Sequence, residues 1–135
     1  MIKKLLTTIL LLGCNLTLLL GDSLAVQQHR VEQVLWYEQK QFGLDQIYIT
    51  VQVLPGKAMT TPNVWGSMVL SPAGPVIEIR AMEDYTAGMT VLERRQHQKE
   101  IVVHEVLHVL MLQKGVPVEA QDVIIEAVRP GVRIP

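Results

Sequence analysis

Apolar residues recur at two different spacings in the first part of the chain, and these spacings predict one helix followed by strands. Over residues 27–42 the apolar side chains fall on one helical face, at Val31, Val34, Leu35 and Phe42. Apolar and β-branched residues then alternate with polar ones over residues 47–53, which predicts a strand with one buried face. Two further strands are expected at residues 64–70 and 76–81, because a turn-rich Ser-Pro-Ala-Gly-Pro segment separates them.

The second part of the chain predicts two consecutive helices. Thr90 and Glu93 have the spacing of a capping box, which should begin a long helix that ends near Gly115. A shorter helix is expected over residues 118–128, ended by Pro130. The fold class is therefore α+β, with an N-terminal helix, a small sheet of three or slightly more strands, and two final helices. The polar face and flanking prolines of residues 76–81 predict that this strand lies at a sheet edge.

The first 20 residues have the pattern of an export segment. Lys3 and Lys4 precede an almost unbroken apolar run over residues 5–20. Three outcomes are open: signal cleavage after Ala25, lipid attachment at Cys14 in a lipobox-like Leu-Leu-Gly-Cys, or an uncleaved anchor. We therefore expect a signal or anchor over residues 1–25 and one domain over residues 26–135. The protein should be exported, as a periplasmic, secreted or membrane-anchored chain.

Cysteine content and charge exclude several kinds of chemistry. Cys14 is the one cysteine of 135 residues, so no disulfide within the chain and no cysteine-based metal site or nucleophile in the domain is possible. The formal charge is −1 and the domain contains no block of basic residues, so nucleic acid is not expected as a partner. The oligomeric state has no signal in the sequence.

The long helix carries the strongest chemical motif, His104-Glu105-Val106-Leu107-His108. Histidines four residues apart lie about 40° apart on one helical face, so both imidazoles can reach one ion. Zinc accepts imidazole nitrogen and leaves a position for water, whose pKa it lowers toward about 7. Glu105 is then expected to be the general base that takes the proton from this water.

A third protein ligand is needed to complete a zinc site. The acidic candidates downstream are Glu119, Asp122 and Glu126. If the two final helices form a hairpin about Gly115, residues equally far from the turn face each other, which places Glu126 at the level of the two histidines. We therefore expect His104, His108 and Glu126 to bind Zn²⁺, with Asp122 second and Glu119 third as alternatives to Glu126.

These two helices resemble the gluzincin branch of zinc metallopeptidases. The shared features are the His-Glu-x-x-His helix and a downstream glutamate in Ile125-Glu126-Ala127-Val128. The resemblance implies a minimal zincin-like domain that hydrolyses a peptide bond of a peptide or protein substrate. One departure is Pro130, which stands where the family has an aspartate that orients the first histidine. The support for the histidines must therefore come from elsewhere or be weaker.

The sequence leaves two features of such an enzyme open, the oxyanion donor and the strand that binds the peptide. Tyr85, His97 and Arg129 are the polar residues near the helices that could stabilise an oxyanion. By analogy with the family, an extended peptide should add as a strand along residues 76–81. The alternatives to a peptidase are a non-catalytic, zinc-stabilised interaction module on the same fold and a metal-free α+β domain.

Overall fold

The computed structural model describes residues 22–85 and 88–128, and these residues form an α+β fold. The elements, in chain order, are α1 (Leu24–Gln41), β1 (Thr50–Leu54), β2 (Gly66–Ser71), β3 (Gly74–Arg80), α2 (Val91–Gln113) and α3 (Val118–Val128). Short 3₁₀ turns occupy Gly56–Ala58 and Met82–Asp84. The predicted fold class, with three strands between an N-terminal helix and two final helices, is confirmed.

The sheet has the order β1-β3-β2, with β3 in the centre. β1 lies parallel to β3, whereas β2 forms an antiparallel hairpin with it. The prediction that residues 76–81 form an edge strand is therefore wrong. The polar residue that suggested an exposed face, Glu78, is only 5% exposed, because its carboxylate accepts hydrogen bonds from the backbone and hydroxyl of Thr60 in a loop that covers it.

The core lies between the sheet and the helices α1 and α2. Ile77 and Ile79 of β3 are fully buried, as expected for alternate residues that point to one face of a central strand. They belong to one apolar cluster with Val31 and Leu35 of α1 and with Ile101 of α2. The amphipathic face predicted for residues 27–42 is thus the face of α1 that covers the sheet.

α2 begins where the capping box predicts. The Thr90 hydroxyl accepts a hydrogen bond from the backbone N–H of Glu93, 3.1 Å away, and this satisfies one of the unpaired amides at the helix start. Residues 101–107 of the helix are all buried. Gly115 adopts φ 71° after the helix, a left-handed conformation that glycine tolerates, and the chain then turns back into α3.

α3 packs against α2 through a small second cluster. Ile125 is 1% exposed and contacts Val103 and Leu107 of α2. This contact sets the rotation of α3 about its own axis and so decides which of its polar side chains face the histidines of α2.

The start of α1 lies inside the segment expected to be removed on export. Ser23 is the N-cap and Leu24 the first helical residue, so the bond between Ala25 and Val26 lies in the first turn. Residues 1–21, including Cys14, lie outside the described residues. Over the described ranges, no helix is both long and apolar enough to cross a membrane.

Candidate metal centre

His104 and His108 meet on the face of α2 that is turned toward α3. Their Nε2 atoms are 3.0 Å apart, and their rings contact edge-on at a centroid distance of 4.8 Å. His104 is 3% exposed, whereas the side chain of His108 is 17% exposed and reaches the surface. The four-residue spacing thus brings the two nitrogens together as predicted, at the mouth of a largely buried site.

Asp122, in the first half of α3, brings a carboxylate to the same point. Its Oδ1 lies 3.0 Å from His108 Nε2 and 3.6 Å from His104 Nε2. Two ligand atoms bound to zinc at 2.0–2.1 Å in a tetrahedral arrangement are about 3.3 Å apart. The three separations bracket this value, so His104, His108 and Asp122 could hold one metal ion, and within residues 22–85 and 88–128 they form the one such group of three.

Glu126, which we ranked first as the third ligand, is not part of this group. Its side chain is exposed, and Asp122, ranked second, occupies the place expected for it. The hairpin argument estimated the height of each residue along the helices but not the rotation of α3. Because Ile125 packs inward at the level of Val103, Glu126 is turned about 100° away from the contact. Glu119 is exposed as well and lies nearer the turn.

Gln121 supports His108 from the other side of the ring and was not identified from the sequence. Its Oε1 is 2.8 Å from His108 Nδ1, while its amide Nε2 donates to the backbone carbonyl of Val116 at 2.9 Å. The second bond fixes the orientation of the amide, so the oxygen must face His108 and Nδ1 must carry the proton. In the neutral ring, the lone pair is then on Nε2, the atom that faces His104 and Asp122.

The three facing atoms can be held together by a metal ion or by a proton shared among them. A neutral His108 offers a lone pair at Nε2, and Asp122 offers a carboxylate oxygen 3.0 Å away, so both are acceptors. Burial, followed by the nearby His108, lowers the pKa of His104 to about 4, against a smaller opposite effect of Asp122. His104 is thus uncharged at neutral pH, and its Nε2 is available to a metal. Within residues 22–85 and 88–128 its buried Nδ1 has no hydrogen-bond partner, so these residues give His104 no outer support like that of His108.

Glu105 lies beside this group on α2 and is 7% exposed. Burial raises the pKa of its carboxyl to about 7; the nearby His108 lowers the pKa and Asp122 raises it further. Across the described part of the chain, its carboxylate makes no hydrogen bond or ion pair. A buried, unpaired carboxylate with a pKa near neutrality has the properties of a general base.

Two of the candidate oxyanion donors lie together near the start of α2, Tyr85 just before the helix and His97 within it. The rings of Tyr85 and His97 are 5.3 Å apart and both contact Trp65. Burial raises the pKa of Tyr85 and lowers that of His97, and among the described residues neither the Tyr85 hydroxyl nor His97 Nδ1 has a hydrogen-bond partner. His97 precedes His104 by two helical turns, about 10 Å along the axis, so this cluster is separate from the metal ligands. Arg129, the third candidate, lies outside the described residues.

Comparisons with protein-family models, with curated proteins and with solved structures found no match to this chain. The resemblance to gluzincins therefore rests on the sequence motif alone, and the carboxylate beside the two histidines is Asp122 instead of the glutamate that the resemblance implies.

Proposed function

We propose that the protein is a zinc-dependent metallopeptidase in which His104, His108 and Asp122 bind the metal and Glu105 is the general base. The observation that carries this proposal is the convergence of two imidazole nitrogens and one carboxylate oxygen within 3.0–3.6 Å of each other. A buried glutamate adjacent to such a group supports hydrolysis rather than a purely structural ion. The half-exposed Asp122 side chain leaves the group accessible from solvent.

The residues of the chain divide the reaction between them. Zinc, when bound, would polarise a substrate carbonyl and acidify a water molecule. Glu105 accepts the proton of the attacking water as its oxygen bonds to the peptide carbonyl carbon. The same carboxyl then delivers that proton to the amine nitrogen as the carbon–nitrogen bond breaks. His108 would offer its Nε2 lone pair to the metal, because Gln121 holds the proton of the neutral ring on Nδ1.

An extended peptide substrate would pair with β2 rather than with β3. β3 is paired on both sides, whereas β2 pairs only with β3 among the described strands, which leaves its other edge for an extended peptide. β2 also packs closely on α2, since any side chain at Gly66 would collide with Ile101, three residues before His104. The edge used for strand addition in this proposal is therefore next to the helix that carries the histidines.

The test compares zinc content and peptide cleavage in the same samples. The wild-type protein and the variants Glu105→Gln and Glu119→Gln would be purified without a metal-affinity tag. Each would be assayed for zinc by mass spectrometry and for cleavage of fluorescein-labelled casein. The proposal expects about one zinc per chain in all three, with cleavage lost in Glu105→Gln and kept in the exposed control Glu119→Gln. Equal cleavage by the Glu105→Gln variant would contradict it.

A second candidate is a zinc-stabilised interaction module without catalysis. It is favoured by the position of Tyr85 and His97, because these two possible oxyanion donors lie about two turns of α2 from the metal ligands. In the same experiment, this candidate expects zinc in every sample and cleavage in none. A wild-type protein that binds no zinc would contradict both candidates and leave a metal-free domain.

A further inference from the structure

Asp22 and Ser23, which signal cleavage after Ala25 would remove, are part of the folded domain. Asp22 is 8% exposed, and its carboxylate forms two hydrogen bonds to the guanidinium of Arg95, of 2.8 and 2.9 Å, and an ion pair with Arg30. These contacts, with Arg95 contributing most, hold the pKa of Asp22 below its ordinary value. They join the start of α1 to α2 across more than 70 residues of sequence.

The backbone of Asp22 completes a second network, centred on the buried side chain of Gln27. Gln27 is 0% exposed, and its amide nitrogen donates to the Asp22 carbonyl at 2.8 Å and to Glu83 at 2.9 Å. Its amide oxygen accepts from the backbone of Met82 and from Gln98. Gln27 thus joins α1, α2 and the Met82–Asp84 turn, and loss of Asp22 would leave a buried amide donor with one partner fewer.

Ser23 begins the helix. Its hydroxyl accepts a hydrogen bond from the Val26 amide, and its carbonyl accepts the first helical hydrogen bond from Gln27, 2.9 Å away. A chain cut between Ala25 and Val26 would lose both bonds. It would also place a new α-ammonium group at the positive end of the α1 dipole, where a positive charge is unfavourable.

We propose that export processing of this protein occurs before Asp22, so that the mature chain retains Asp22 and Ser23 as structural residues. Of the two processing routes that the sequence offers, this excludes cleavage after Ala25. The bond before Cys14 remains as a processing site. The mature chain would then begin at Cys14, with residues 15–21 between it and Asp22. The proposal is independent of zinc binding and of hydrolysis.

The test determines the first residue of the mature chain. The full-length protein with a C-terminal tag would be produced in an exporting bacterial host, and its intact mass and N-terminal sequence would be measured. Ala25→Glu is the decisive variant, because signal peptidase requires a small residue at the cleavage position, whereas exposed Ala25 in the first turn of α1 tolerates an acidic side chain. Cys14→Ser is the matched change at the upstream site.

We expect a mature chain that contains Asp22. Wild type and Ala25→Glu should lose the same residues from the precursor, so their mature masses should differ only by the substitution itself. A lipid-modified Cys14, with precursor accumulating in Cys14→Ser, would support the proposal and identify the upstream site. A chain that begins at any residue from 15 to 22 would support it without lipid, whereas an unprocessed chain would contradict it. A wild-type chain that begins at Val26, together with precursor accumulation in Ala25→Glu, would overturn it.

Discussion

Replacing Glu105 with glutamine should stabilise the metal-free protein at alkaline pH, although it removes the proposed catalytic base. Burial raises the pKa of this carboxyl from 4.5 to about 7 in the folded chain. Between these two values, the unfolded chain has lost the proton that the folded chain still holds. Unfolding is therefore increasingly favoured as pH rises from about 4.5 to 7.

The magnitude follows from the two pKa values. A rise from 4.5 to about 7, at about 1.4 kcal/mol per pKa unit, corresponds to about 3 kcal/mol above pH 7. Glutamine has nearly the shape of the protonated carboxyl and does not ionise. The Glu105→Gln variant should therefore exceed the wild type by about 3 kcal/mol in free energy of unfolding at pH 8, and the two should be similar at pH 4.

Urea denaturation of EDTA-treated protein, followed by circular dichroism at pH 4 and pH 8, measures this difference. Glu119→Gln is the matched control, because Glu119 is an exposed carboxylate and its replacement should change stability by less than about 0.5 kcal/mol. A Glu105→Gln variant that is no more stable than the wild type at pH 8 would refute the argument that Glu105 is buried without a partner.

Three further substitutions test other parts of the structure. Gln121→Leu should weaken zinc binding about 10- to 100-fold in a chelator competition, because His108 loses its orienting partner; unchanged affinity would contradict this role. Asp22→Asn should cost about 1–3 kcal/mol at pH 7. This loss should disappear as the pH falls below about 4 through the lowered pKa of Asp22, so a pH-independent loss would contradict the ion-pair interpretation. Ile125→Ala should cost about 2–5 kcal/mol in urea denaturation, whereas Val123→Ala, 73% exposed, should cost almost nothing; equal losses would contradict the packing of α3.

Local signals predicted the elements of the fold well. The Thr90 capping box gave the start of α2 to within one residue, and the apolar spacing identified the buried face of α1. The sheet order depended instead on pairing between distant segments. The alternation in β3 could not reveal that Glu78 would be covered by the loop at Thr60, so a central strand had the sequence of an edge strand.

The candidate site was predictable as far as one helix determines it. The positions of His104, Glu105 and His108 follow from helical spacing alone. Which acidic residue of α3 lies beside the histidines depends on how α3 is rotated against α2, and the packing of Ile125 decides that rotation in favour of Asp122. One signal for Gln121 was present: it precedes Ile125 by four residues, so a buried Ile125 implies that Gln121 lies on the same inward face.

Zinc binding by the wild type and by two variants of α3 tests the central claim most directly. Asp122→Ala and Glu126→Ala each remove one solvent-accessible acid from the same helix, and equilibrium dialysis against zinc, with metal analysis, would measure their affinities. We predict about one zinc per wild-type chain, a large loss of affinity in Asp122→Ala and wild-type affinity in Glu126→Ala. A wild-type protein without zinc would contradict the metal centre itself, and a loss confined to Glu126→Ala would contradict the assignment of Asp122 as its third ligand.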